Sequence, residues 1–94
     1  MPLLRIEHRV ADYEGWKQAF DGDPADRKGS GVKRYWIMRS IDDPQQVLID
    51  LEFDTIGQAE ALLAAMRKIW NQVQGKVIFE PQAIIVEIVE DTLL

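Results

Sequence analysis

The sequence predicts an α+β domain: one four-stranded antiparallel sheet with two helices on one of its faces. Three observations predict it. Four segments carry strand signals, two carry helical stripes, and their order along the chain is strand, helix, strand, strand, helix, strand. With right-handed crossovers and pairing of consecutive strands, that βαββαβ order leads most simply to the strand sequence 4-1-3-2.

The first strand is a period-2 segment, in which Leu4, Ile6, His8 and Val10 alternate with Arg5, Glu7 and Arg9. The only histidine of the chain therefore falls on the apolar side. Asp12 can cap a short helix whose Tyr13, Trp16, Ala19 and Phe20 share one stripe. The loop "DGDPADRKGSG" ends that helix with three glycines and a proline, a flexible connection able to act as a lid. "VKRYWIMRSI" (32–41) and "VLIDLEF" (47–53) form a hairpin about the turn "DDPQ". Val47, Ile49, Leu51 and Phe53 make one apolar face of the second arm, with Asp50 and Glu52 on the other.

Thr55 followed by Gln58 matches a capping box. Behind it Ile56, Ala59, Leu62, Leu63, Met66, Ile69, Trp70 and Val73 trace one helical stripe. After Gly75 and a loop around Pro81, "AIIVEIVE" (83–90) is the last strand, with Ile84, Val86 and Ile88 on one face. The register of the second strand depends on the hairpin loop. A four-residue loop turns Trp36 and Met38 inward, a five-residue loop turns Tyr35 and Ile37 inward, and the first is preferred here.

This arrangement is the ferredoxin-like fold, expected to occupy residues 1–94 as a single domain. Its helix-covered face is expected to carry the even positions of the first strand, the odd positions of the third, and Ile84, Val86 and Ile88. The open face then shows Arg5, Glu7, Arg9, Leu48, Asp50, Glu52, Ile85, Glu87 and Val89, too apolar a mixture for a solvated surface. A homodimer through that face is expected, its charges pairing across a two-fold axis.

Composition narrows the partners. Sixteen acidic residues against eleven basic ones give a net charge of -5, which repels phosphate backbones and anionic lipid heads, so neither nucleic acid nor a membrane is expected. With no cysteine there are no disulfides, no thiolate chemistry and no zinc-finger ligands. One histidine among scattered carboxylates has no metal-ligand spacing, so neither a metal nor another cofactor is expected. The charged N-terminus "MPLLRIEHR" is unlike a secretory signal and no apolar run is long enough to span a bilayer, which points to the cytoplasm.

His8 is the residue best able to do acid–base work, since an imidazole titrates near neutrality and can take a proton from a phenol or enol. The alternative is a core histidine bonded to a carboxylate or carbonyl. Tyr13, Trp16, Phe20, Met66 and Trp70 project from the helices towards the same sheet face. Core packing explains such stripes more often, yet three tryptophans in so small a domain also suit a slot for a planar ligand. Trp36 joins the slot in the preferred register. Arg67 could meet an anionic ligand at its mouth, the alternative being a solvated side chain.

The element order, the open face and the phrases "RYWIMRSIDDPQQVLIDLEFDTIGQAEALLAAMRKIW" and "PQAIIVEIVE" resemble the dimeric α/β-barrel superfamily, and within it small members of the antibiotic-biosynthesis-monooxygenase type. The resemblance implies a homodimer with sheets packed face to face and a ligand cavity between sheet and helices in each subunit. The superfamily holds cofactor-independent monooxygenases of polycyclic phenols, haem-degrading enzymes, isomerases of small lactones and members without known activity. Its monooxygenase and haem-degrading members use an asparagine and a tryptophan joined by a tyrosine or histidine. Trp70 resembles that tryptophan. Asn71 is beside it on the helix rather than on a first-strand position, no histidine follows the helix, and the first strand offers His8 instead. Two functions are therefore expected as alternatives. One is a cofactor-independent monooxygenase or isomerase on a small aromatic or enolisable substrate, with His8 as base and Trp70 as the second catalytic residue. The other is a non-catalytic homodimeric module binding a small apolar ligand.

Overall fold

The computed structural model describes the chain except for residues 74–77, so the helix stop expected at Gly75 lies outside the described residues. Its elements are β1 (Pro2–Val10), α1 (Tyr13–Asp21), β2 (Arg34–Arg39), β3 (Gln46–Glu52), α2 (Ile56–Val73) and β4 (Ile78–Glu87). The sheet order is β2-β3-β1-β4, the expected order read from the other edge. Every strand pair is antiparallel.

Both helices begin where local chemistry satisfies their first amides. Asp12 accepts from the Gly15 amide at 3.0 Å at the start of α1. At α2 the box is reciprocal: the Gln58 amide donates to Thr55 Oγ1 and the Thr55 amide to Gln58 Oε1, each at 3.2 Å. The inward face of β1 and β3 is fully apolar except for His8, and with Ala59, Leu62, Leu63 and Trp70 of α2 and Trp16 of α1 it forms the core. Ile56, expected on that stripe, is exposed at the first turn of α2. The side chain of Val73 lies outside the description.

Two faces are the reverse of what alternation suggests. In β2, Tyr35, Ile37 and Arg39 pair with the inward Leu51, Ile49 and Val47, so Trp36 and Met38 point to the open face. Trp36 is 37% exposed and walls no cavity beneath the helices. The cause lies in the turn. Ser40 and Gln46 close it with a 3.1 Å backbone bond around five residues, Ile41–Gln45. The Ser40 hydroxyl accepts from the Asp42 and Asp43 amides at 3.3 Å, and Asp43 Oδ1 accepts from the Gln45 amide at 3.1 Å. These side chains supply acceptors for a wider turn than "DDPQ" alone needs.

In β4 the expected assignment of Ile84, Val86 and Ile88 to the core is corrected: Ala83 and Ile85 face inward, Ile84 and Val86 outward, and Ile88 lies past the strand end. The strand starts at Ile78 and runs through Pro81 instead of following it. Glu7 pairs with Gln82 but Arg9 with Phe79, so β4 holds one extra residue there, and Glu80 has φ 53. Such a bulge exchanges the faces of everything beyond it.

The open face is thus laid out in cross-strand rows. Its central row reads Ile84, Arg5, Asp50, Trp36. Arg5 donates to both carboxylate oxygens of Asp50, each at 2.8 Å, within one subunit, where sequence alternation had suggested pairs between subunits. Arg34 lies over the Trp36 ring at 4.5 Å, and Ile84 is 58% exposed.

Candidate functional site

The bulge has a second effect, on His8. It falls between Glu7 and Arg9, the one inward position of β1 with no Cα partner in β4, while on the other side it pairs with Val47. Its side chain is 3% exposed, and Nδ1 is sealed without a hydrogen-bond partner. Burial among apolar groups pushes the imidazole down from 6.5 to about 4, so His8 is neutral at physiological pH.

The space beside it is a cavity of about 440 Å³ between the sheet and the helices. Ile6, His8, Ile49 and Leu51 form its floor, Trp16, Ala19 and Phe20 one wall, and Leu62, Met66, Ile69 and Trp70 the other. Gly22 to Ala25 and Arg27, from the loop after α1, border it, and Gln72 and Ile78 complete the lining. The wall of α1 is a run of ring contacts. Trp16 meets His8 edge-on at 5.5 Å and Phe20 at 5.2 Å, and Phe20 meets Tyr35 at 5.3 Å. Close-packed interiors leave few voids larger than a water molecule, so apolar space on this scale is a ligand-sized volume.

Of the residues singled out in the sequence, His8, Trp16, Phe20, Met66 and Trp70 border this cavity together. Three do not. Trp36 lies on the opposite face of the sheet. Tyr13 tilts against Trp16 at 5.8 Å and is capped by the Arg39 guanidinium at 4.4 Å, which closes it off from the space. Arg67 lines a separate outer cleft of about 280 Å³ with Trp70, Asn71, Pro81 and Ala83, so the Trp70 indole borders both spaces. Sequence reasoning missed Asp23 and Arg27. They lie in a loop where no periodicity reports side-chain direction, and only the flanking aromatic Phe20 hinted that a cation could stack nearby. Among the described residues no group of three His, Asp or Glu side chains could hold a metal ion. None of the described helices is long and apolar enough to cross a membrane.

No family model and no curated protein matches the sequence. Solved structures do match it. SnoaB, a cofactor-independent oxygenase from Streptomyces nogalater, superposes with a TM-score of 0.75 at 10% identity over 96% of this chain and 94% of that one. A protein from Deinococcus radiodurans, provisionally named an antibiotic biosynthesis monooxygenase, gives 0.69 at 13% identity over 100% and 98%. A dimeric ferredoxin-like protein from an uncultured marine organism gives 0.65 at 9% identity over 100% of both chains. The chain has the ferredoxin-like fold. Its likeness to the monooxygenase-type structures is one of architecture, and the chemistry of this chain is argued from its own cavity.

Proposed function

We propose that the protein is a cofactor-independent monooxygenase or isomerase acting on a small planar aromatic or enolisable substrate bound between sheet and helices. The observation that carries this reading is a neutral imidazole in the lining of a ligand-sized space walled by Trp16, Phe20 and Trp70. A phenol or enol hydroxyl docked there donates to His8, and an acidic carbon can lose its proton to it. Returning that proton to a conjugated carbon is an isomerisation. Attack of the carbanion on dioxygen converts a ring CH2 and O2 into C=O and water, with all four electrons taken from the substrate. Trp70 and Trp16 hold the ring plane. The oxygenase among the matched structures supports the oxygenation.

The test is a panel of phenols, hydroquinones and enolisable lactones, followed by oxygen consumption and by exchange of the acidic C–H in deuterated water. Turnover should fall by about 10² or more in His8→Phe, the usual contribution of a general base. If no compound reacts by either readout while planar ligands still bind, the protein is the non-catalytic binding module.

The working unit is proposed to be a homodimer through the open sheet face, where Trp36, Met38, Leu48, Ile84 and Val86 surround an internally paired Arg5 and Asp50. Structures described as dimeric share the fold. Sedimentation should give a dimer at micromolar concentration, and Ile84→Lys should shift it to monomer by setting a charge in the apolar surround. A wild-type monomer, or an Ile84→Lys dimer of unchanged strength, would remove this interface. Ile85 is unsuitable for the test because it belongs to the core side.

A further inference from the structure

Arg27 is built into the border of the cavity as a fixed fork. Its guanidinium carbon lies 3.8 Å from the centre of the Phe20 ring and 4.9 Å from that of Tyr35, and the side chain is only 16% exposed. Cation–π contacts of this kind hold the planar group while leaving its edge available. One side of that edge is taken by an ion pair: Nε lies 3.1 Å from Asp23 Oδ1, an oxygen that accepts a hydrogen bond from the Arg27 backbone amide at 2.9 Å. Asp23 keeps this position with φ 54, a left-handed conformation that aspartate tolerates better than most residues. The two terminal nitrogens donate to no described group. They are not sealed either, since the only sealed and unpartnered side-chain nitrogen or oxygen among the described residues is His8 Nδ1.

The other polar groups on the lining are few. His8 is uncharged, Gln72 is neutral, and Asp23 and Arg27 are the only ionic side chains among the lining residues. A ring lying against Trp16 and Phe20 is therefore one residue away from a held guanidinium with two open donors. Two parallel N–H donors on a rigid plane match the two oxygens of a carboxylate. We propose that Arg27 is the specificity-determining residue of this cavity, selecting planar aromatic ligands that carry a carboxylate.

This inference rests on the cavity being a ligand site, and the experiment separates the two. Naphthoate and naphthol, which share a ring system and differ in the acidic group, are titrated calorimetrically into wild-type protein and into Arg27→Gln, Arg27→Lys and Asp23→Asn. Near-ultraviolet circular dichroism confirms that each variant keeps its aromatic packing. Wild type should bind naphthoate at least about tenfold more tightly than naphthol, a difference of about 1.4 kcal/mol. Arg27→Gln should abolish that preference while leaving naphthol within about twofold, and Arg27→Lys should recover it only in part, because the ammonium lacks the fork. Asp23→Asn should tighten naphthoate alone by removing a competing carboxylate. If wild type binds naphthol as tightly as naphthoate, or if Arg27→Gln weakens both equally, the assignment of Arg27 fails while the cavity stands. If folded wild type binds neither, the ligand site itself is refuted and Arg27 with it.

Discussion

Between pH 6.5 and about 4 the protein is expected to lose about 3 kcal/mol of stability through His8 alone. The folded chain holds this imidazole down to about 4 by burial, whereas the unfolded chain exposes it with its ordinary value of 6.5. Above pH 6.5 both states are neutral and the folded state keeps its full advantage. As the pH falls through 6.5, the unfolded state takes up a proton that the folded state refuses, and each further pH unit costs up to about 1.4 kcal/mol until the folded-state value is reached. Below about 4 both states are protonated and the loss levels off. Asp43, whose carboxyl Arg9 holds below its usual value, titrates beneath this window. Urea unfolding at half-unit pH steps measures the slope, and His8→Phe should flatten it. A wild-type slope indistinguishable from that of His8→Phe would mean that water or a polar group reaches the imidazole in the folded chain and that burial does not hold it down.

Phe53→Ala is expected to cost about 3 to 5 kcal/mol, the range for deleting a buried aromatic side chain. Phe53 is fully buried and the largest of the completely enclosed side chains. It continues the inward series of β3 beyond the strand end, tied by its amide to the Pro2 carbonyl at 3.0 Å, just before the capping box that starts α2. The vacated space lies between two anchored elements that cannot easily collapse into it. Since domains of this kind are stable by about 5 to 15 kcal/mol, the variant should unfold at much lower denaturant and temperature. A loss below about 1 kcal/mol would mean that the strand end and the start of α2 repack freely.

The parts of the fold that were legible are those in which one local signal has one meaning. The β1 alternation, the Asp12 cap and the Thr55–Gln58 box each name a boundary or a face by themselves. The helix stripe located α2 and brought Met66 and Trp70 to the same space as His8. The faces of β2 and β4 were not legible because both sides of these strands are apolar: "RYWIM" and "AIIV" satisfy a core from either register. Their directions are set by a five-residue turn held by Ser40 and Asp43 and by one bulged residue at Glu80, neither of which has a periodic signature. The border of the cavity was hidden for a related reason. Arg27 reaches Phe20 and Tyr35 through a loop whose left-handed turns at Asp23 and Asp26 decide where side chains go.

The extra residue in β4 makes the position opposite His8 the one place where this strand can change length without turning over. It lets Ile78 before it and Ala83 and Ile85 after it face the same core, although strict alternation would put them on opposite faces. Losing it would leave Gln82 on Glu7 and Ala83 on Ile6, so the faces beyond would stand, and would only give His8 a strand partner in β4. A lineage can therefore retune the cavity walls by ordinary substitution on the helices without disturbing the face where a second copy would sit. A change of chain length elsewhere in β4 would exchange the faces of the residues beyond it and alter both surfaces at once, so related sequences should vary in residue count only at the bulge.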